Sequence, residues 1–207
     1  MPTFKHLPTG KRFFFAHIPR TAGRFIISNL KDNNEFVWDD LHLGEKNMYN
    51  LYEGVEIGHF HREYYEKYLY VKDIPQVAVV RNPITKFQSA SFSLPLDINI
   101  LKINEMEGPC SSTNWFRPQV DFITKDTEVW KFENGFGKRF VDWISGILGI
   151  DLEFDDNIQY PILKNEFKLC KFNLTSKHLD DIRNYYSEDF TKFYPDIQIN
   201  ESYQMSK

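Results

Sequence analysis

Two arginines, Arg20 and Arg24, lie in a turn-like stretch after an apolar run, a combination suited to binding an anion. Residues 13–16 are apolar and rich in aromatics, which predicts a buried strand. Pro19 fixes φ and Gly23 relaxes the backbone sterics, so a tight turn is expected. An amphipathic stretch follows and predicts a helix. The first N–H groups of a helix lack internal partners and carry positive potential. Strand, turn and helix therefore predict a site for a phosphate or phosphate-like group.

A second cation, Arg81, follows the clearest buried strand of the chain, residues 76–80. Asn82 is a candidate N-cap for the next helix, and Pro83 suits its first position. Ser89 lies eight positions after Arg81, which is about two helical turns. Arg81 and Ser89 can therefore converge on one phosphate.

Imidazoles supply the candidate general base, because they titrate near neutral pH and can accept a proton from a hydroxyl. His59 is the first candidate, at the end of a strand predicted over residues 55–59, and His61 is the alternative. His17 lies inside the first turn and is expected to orient it without reacting. The histidines expected at the surface are His6, His42 and His178. No His, Cys and Asp spacing indicates a metal site.

The first turn is not one of the common nucleotide-binding loops. A Walker A loop needs G-x-x-x-x-G-K-[ST], and residues 17–23 have one glycine with no lysine and hydroxyl after it. The G-x-G-x-x-G pattern is also absent. From turn chemistry alone, an ordinary strand-to-helix turn with surface arginines stays an open alternative.

The elements that must position these residues alternate between strands and helices. Strands are predicted over residues 13–16, 35–38, 55–59, 76–80, 120–123 and 128–132. Helices are predicted over residues 23–30, 62–70, 83–91, 134–150 and 175–186, the last with Thr175 as N-cap and residues 189–194 as an extension. This order predicts an α/β fold with a central parallel sheet flanked by helices. Residues 1–10 are predicted to be a polar lead-in, and residues 93–114 an insertion or a lid over the site.

Composition narrows the class of protein. The 207 residues suit a single domain spanning residues 1–207, and the net charge of −4 gives no overall attraction to nucleic acid. The two cysteines, Cys110 and Cys170, are expected to be reduced. No apolar run is long enough to span a membrane and no signal core is present, so a soluble, cytoplasmic protein is expected.

Five segments, in matching order and spacing, carry a resemblance that covers nearly the whole chain. H-I-P-R-T-A-G at residues 17–23 resembles the H-I-P-K-T-A-G signature of sulfotransferases that use 3′-phosphoadenosine 5′-phosphosulfate (PAPS). V-V-R-N-P-I-T-K-F-Q-S at residues 79–89 resembles the V-x-R-[DN]-P-x-x-R-F-x-S segment of that family. Further similar segments are I-G-H-F at 57–60, W-F-R-P-Q at 115–119 and K-F-E-N at 131–134. The branch it most resembles contains the carbohydrate sulfotransferases of heparan- and chondroitin-type glycans.

The resemblance implies transfer of a sulfonyl group from PAPS, as co-substrate, to a hydroxyl acceptor, for which a saccharide is expected, without a metal. The first loop would hold the 5′-phosphosulfate, making it a P-loop-like loop after the first predicted strand. Its predicted contacts are Arg20, Thr21, Ala22, Gly23, Arg24 and Phe25. Arg81 and Ser89 would bind the 3′-phosphate, and His59 would be the base. Golgi members of that family carry an N-terminal membrane anchor; no such anchor is expected here, which again favours a soluble form.

The sequence also departs from that family. Arg20 stands where the family has a lysine; arginine stays protonated, so it can stabilise a leaving group but should not act as an acid. Arg24 and Phe25 replace hydroxyl residues, and Lys86 replaces an arginine. A non-catalytic nucleotide-binding relative and a P-loop-like phosphotransferase therefore stay as alternatives, although the missing Walker Lys-Ser argues against the second. Arg117 and Gln119 are expected to face the acceptor or the adenine.

Overall fold

The computed structural model describes residues 3–32, 35–38, 51–52, 55–69, 71–93, 114–154 and 174–197. The strands are β1 (Thr3–His6), β2 (Arg12–Ala16), β3 (Phe36–Trp38), β4 (Leu51–Tyr52), β5 (Val55–Glu56), β6 (Gln76–Val80) and β7 (Thr127–Lys131). The α-helices are α1 (Gly23–Asp32), α2 (Arg62–Tyr68), α3 (Pro83–Ser93), α4 (Lys138–Leu148), α5 (Ser176–Tyr185) and α6 (Ser187–Phe193). Short 3-10 helices cover Ile57–His59, Gln119–Phe122 and Phe132–Asn134.

The main sheet is mixed, with the strand order β3-β1-β2-β6-β7. The strands β2, β6 and β7 are parallel, whereas β1 pairs antiparallel with both β2 and β3. The predicted α/β class is therefore confirmed, and the prediction of a parallel sheet is wrong for its β1–β3 side. β4 and β5 form a separate two-stranded ladder.

The strand β1 is the largest error of the sequence-based prediction, which treated residues 1–10 as a lead-in. Phe4 is fully buried and pairs with Phe13 across the ladder, so residues 3–16 form a β-hairpin. The turn is closed by the Gly10 N–H, which donates to His6 O at 2.8 Å, with Gly10 at φ +70°. His6 is buried against Glu35 and Thr9, so its predicted surface position is also wrong. The anion loop consequently follows the second strand and not the first.

Alternating residues of β2 face two separate cores, as expected for a strand buried on both sides. Phe13 and Phe15 pack in a cluster with residues of α1 and α4. Phe14 and Ala16 pack in a second cluster with residues of α2 and α6. Helices thus cover both faces of the sheet, and β2 is held rigidly at the point where the anion loop leaves it.

The helix starts predicted from capping residues are confirmed. The Ile84 N–H donates to Asn82 Oδ1 at 2.9 Å, and α3 begins at Pro83. Thr175 caps α5 in a capping box. The helix predicted from residue 134 begins instead at Lys138, because the backbone of Gly135, at φ +74°, is not helical.

The strand predicted over residues 120–123 is wrong, and the one predicted over residues 55–59 is confirmed only in its first two residues. Residues 119–122 form a 3-10 helix, since the buried carboxylate of Asp189 accepts hydrogen bonds from the N–H groups of Gln119 and Val120 and so holds the turn. Residues 57–59 also form a 3-10 helix, so only Val55–Glu56 of that prediction is a strand.

Several expectations fall outside the described residues. These are residues 94–113 of the insertion or lid predicted over residues 93–114, both cysteines (Cys110 and Cys170) and His42. Within the described ranges, none of the helices is both long and apolar enough to cross a membrane.

Candidate functional site

The loop between β2 and α1 has an unusual backbone. Arg20 has φ +68° and Ala22 has φ +70°, so two residues with a Cβ occupy the left-handed region on either side of Thr21. Such a conformation costs about 1–3 kcal/mol per residue and persists only where the surroundings enforce it. Thr21 is fully buried and its hydroxyl donates to Ile18 O at 2.8 Å, which closes the turn. The loop is therefore held in a fixed shape, and any contact of Thr21 with an anion would use its backbone N–H.

Gly23 is required by a close approach to His17. A Cβ added at Gly23 would lie 1.8 Å from His17 Cδ2, which no real contact allows. The His17 imidazole is buried against the loop. Desolvation by burial lowers the pKa of His17 well below its usual value. His17 is therefore neutral at pH 7.

The helix α1 begins directly after the loop, at Gly23. The first helical hydrogen bond runs from the Ile26 N–H to Ala22 O at 3.3 Å, so the N–H groups of Gly23, Arg24 and Phe25 precede it. The Arg24 side chain is exposed. The Phe25 ring packs against Phe136 with centroids 5.5 Å apart, so Phe25 can contribute only its backbone. The arrangement has the features that favour a bound anion.

The structure brings Arg20, Arg81 and Ser89 together, although Arg20 and Ser89 are 69 positions apart in the chain. The Nε and Nη2 atoms of Arg20 donate to Ser89 Oγ at 3.0 Å and 2.9 Å. Arg81 Nη1 donates to the backbone oxygen of Arg20 at 3.2 Å, and Arg81 Nε donates to Thr85 Oγ1 at 3.1 Å. The two cationic turns predicted from sequence are thus in direct contact.

The Arg81 backbone is held by a buried glutamine that the sequence analysis assigned elsewhere. Gln119 is fully buried; its Oε1 accepts from the Arg81 N–H and its Nε2 donates to Arg81 O, both at 2.8 Å. The expectation that Gln119 faces a ligand is therefore wrong. Glu133 accepts from the Asn82 N–H at 2.7 Å and from the Tyr194 hydroxyl at 2.8 Å. These bonds fix the strand end from which Arg81 projects.

His59 lies next to the first loop, at the end of a 3-10 helix. Its ring is 4.6 Å from the His17 ring and 6.5 Å from the Trp115 ring, centroid to centroid. The Arg20 guanidinium carbon lies 5.3 Å from the centroid of the same Trp115 ring. Arg20 and His59, the two groups predicted to take part in the chemistry, therefore both border Trp115.

The alternative base, His61, has different surroundings. Its ring packs edge-on against Tyr64, and Nε2 lies 3.6 Å from a Glu63 carboxylate oxygen. Desolvation by burial, with the charge of Arg117 as a second cause, lowers the pKa of His61 to about 4. None of these contacts reaches Arg20 or Trp115, so the geometry favours His59 over His61 as the residue beside the anion loop.

Sequence reasoning missed two residues of this region, Trp115 and Thr85. Trp115 belongs to one of the segments that carried the resemblance, and that segment could have identified it. Thr85 follows Arg81 by about one helical turn, so its spacing could have identified it. Lys86 is fully buried and donates to backbone carbonyls, so it does not face the anion loop. No cluster of three or more His, Cys, Asp or Glu side chains suited to a metal occurs in the part of the chain that the structure describes.

Comparison of the chain with protein-family models, with curated proteins and with solved structures gave no match. The assignment of a function therefore depends on the residues and the geometry above.

Proposed function

We propose that this protein is a sulfotransferase that moves a sulfonyl group from PAPS to a hydroxyl acceptor, for which a saccharide is the favoured class. The observation that carries the proposal is the contact of the two cationic turns, in which Arg20 bonds Ser89 and Arg81 bonds the Arg20 backbone. A nucleotide with phosphates at both its 3′ and 5′ positions needs two anion sites at a short separation. The neighbouring strand ends supply them.

One of the two anion sites would bind its phosphate through backbone N–H groups and the other through side chains. The N–H groups at the start of α1 suit the 5′-phosphosulfate, since several donors and the helix dipole converge there. Arg81 and Ser89 suit the 3′-phosphate, because a guanidinium fork and a hydroxyl can bond one phosphate together. The Arg81 guanidinium carbon lies 4.4 Å from the centroid of the Phe132 ring, which restrains it before any ligand binds.

Arg20 would neutralise the charge that grows on the leaving nucleotide. A guanidinium keeps its proton at all relevant pH values, so this role is electrostatic. His59 would accept the proton of the acceptor hydroxyl, because a neutral imidazole next to the transfer site can act as a general base. In the structure both side chains border Trp115, which is consistent with one reacting centre between them.

Binding of adenosine 3′,5′-bisphosphate, the product nucleotide, tests the proposal directly. We expect this ligand to raise the melting temperature of the wild type and 5′-AMP, which lacks the 3′-phosphate, to raise it much less. Arg81→Gln and Ser89→Ala should each reduce the shift, whereas Arg139→Gln, at an exposed arginine of α4, should not. Identical shifts with both nucleotides, or no shift at millimolar ligand, would refute a 3′-phosphate site.

Turnover separates an enzyme from a binding protein. Release of adenosine 3′,5′-bisphosphate from PAPS, measured with a panel of saccharides, should depend on His59 and on Arg20. Tight nucleotide binding without release over the whole panel would favour the non-catalytic relative. Arg20→Lys should keep or raise the rate, since a lysine also supplies the positive charge. Inactivity of that variant would show that Arg20 is used in another way.

A further inference from the structure

Three consecutive backbone carbonyls, those of residues 115–117, are each bonded by a side chain from another element. Lys86 Nζ donates to Trp115 O and to Arg117 O, both at 3.0 Å. The Tyr186 hydroxyl donates to the carbonyl oxygen between them, that of Phe116. Lys86 and Tyr186 are both fully buried. Because every carbonyl of this irregular stretch has a fixed donor, residues 115–117 are held as one rigid piece.

The rigid piece contacts both groups assigned to the reaction. The Trp115 ring lies 5.3 Å from the Arg20 guanidinium carbon and 6.5 Å from the His59 ring. A second link runs through Asn114, whose Nδ2 donates to His59 O at 3.1 Å and whose Oδ1 accepts from Arg117 Nε at 2.9 Å. Both the ring and the backbone of His59 are therefore tied to the segment that Lys86 holds.

We propose that Lys86 is a positioning residue: by fixing the backbone of residues 115–117, it sets the His59 imidazole relative to the Arg20 guanidinium. This inference rests on the proposed function, since it concerns the same site. Burial of an ammonium group costs desolvation free energy, whereas an apolar side chain would pack at the same place without that cost. The ammonium offers what an apolar side chain cannot, namely several donors that reach two carbonyls of one segment.

Four charged side chains affect the protonation of Lys86. Asp189 of α6 and Asp121 of the 3-10 helix favour its charged form, whereas Arg81 and Arg20 oppose it. The Lys86 nitrogen also lies 5.5 Å from the Tyr186 ring centroid. Desolvation dominates and lowers the pKa of Lys86 to about 8, so at pH 7 it is still protonated and can donate to both carbonyls.

The test compares Lys86→Met and Lys86→Arg with the wild type, with Ile144→Ala as a control for general destabilisation. Ile144, in α4, is buried in the core cluster of Phe13 and Phe15, which is a different cluster from the one that contains Tyr186. The readouts are the ¹⁹F resonance of 5-fluorotryptophan at position 115 and the ring titration of His59, both by NMR. Trp115→Phe and His59→Asn assign the two signals.

We expect Lys86→Met to shift the Trp115 resonance and change the His59 titration, and Lys86→Arg to restore both in part. Ile144→Ala should leave both signals in place. If PAPS turnover is found, Lys86→Met should lower kcat by about tenfold or more, because small misplacements of reacting groups are costly, with little change in bisphosphate affinity. Should Lys86→Met fail to fold, Tyr186→Phe, which removes the donor to Phe116, is expected to shift the Trp115 resonance.

The outcomes distinguish this inference from the function on which it rests. A wild type that does not bind the bisphosphate nucleotide overturns the sulfotransferase proposal, and the role of Lys86 in transfer falls with it. A wild type that binds the nucleotide, but whose Trp115 and His59 signals are unchanged in Lys86→Met, overturns only the positioning role. Equal changes in Lys86→Met and Ile144→Ala would also overturn it, because they would trace to lost stability alone.

Discussion

The free energy of unfolding of this protein should fall in acid because of His61, and the burial of the His61 side chain sets the size of the fall. The side chain is 6% exposed, and desolvation, with the Arg117 charge as a second cause, lowers its pKa from 6.5 to about 4. The unfolded chain therefore takes up a proton near pH 6.5 that the folded chain does not accept until about pH 4. A depressed histidine pKa means that stability is lost as the pH falls through this window.

The difference between these two pKa values corresponds to a total loss of about 3 kcal/mol once the pH is below both. By pH 5 the unfolded state is almost fully protonated at this position and the folded state is not, so a loss of about 2 kcal/mol from pH 7 is expected. His17 acts in the same direction, since burial lowers its pKa too. The total loss in the wild type should therefore exceed the part due to His61.

Urea unfolding at pH 7, 6 and 5 measures this loss, and His61→Asn isolates its source. We expect the free energy of unfolding to fall between pH 7 and pH 5 by about 2 kcal/mol less in His61→Asn than in the wild type. Phe60→Leu, at a buried neighbour without a titratable group, should keep the wild-type slope. Parallel slopes for the wild type and His61→Asn would refute the reasoning, because they would show that His61 does not carry the proton-linked loss.

Three further predictions concern the loop and its support. Ala22→Gly should raise the stability by about 1 kcal/mol, measured as a melting temperature higher by about 2–4 °C, because glycine avoids the left-handed strain at the price of some chain entropy; an unchanged or lower melting temperature would contradict this. Gly23→Ala should lower the stability by about 1–3 kcal/mol through its clash with His17, and the double variant Gly23→Ala/His17→Ala should recover part of the loss; equal losses in the single and double variants would exclude the clash as the cause. The free energy of unfolding should rise by about 1 kcal/mol between pH 7 and pH 9, because Lys86, with a pKa of about 8, loses a charge that is costly to bury. Urea unfolding measures this rise, which should be absent in Lys86→Met. The same rise in Lys86→Met would assign it to other groups.

The sequence predicted the parallel part of the sheet well because its signals there are local. The strand β6 has the predicted bounds, with five buried residues of which four are apolar, and α3 begins with a cap and a proline that suit their positions. The strand β1 was missed because its four residues mix polar and apolar types, and only pairing with β2 reveals that Phe4 faces a core. The 3-10 helix at Gln119 was missed because its N–H groups are held by Asp189, from far along the chain.

The two halves of the candidate site differ in how far sequence could predict them. Arg20 and Arg81 each follow a buried strand, and β2 and β6 are parallel neighbours with Ala16 opposite Ala78. Parallel neighbours end at the same edge of a sheet, so two arginines that follow such strands at similar offsets must meet. This half depends on strand patterns and turn chemistry, which are visible in the residues themselves.

The other half, which holds His59, has no such support from the sheet. His59 ends a 3-10 helix, and its described contacts are the His17 ring, the Trp115 ring and Asn114. Trp115 and Asn114 belong to a stretch that Lys86 and Tyr186 hold by its carbonyls, and such side-chain-to-backbone links leave no periodic pattern in a sequence. The two halves should therefore respond differently to substitution. Substitutions in the core of the sheet should lower the stability without moving the anion site. Loss of one buried donor near Trp115 should instead move His59 relative to an anion site that stays intact.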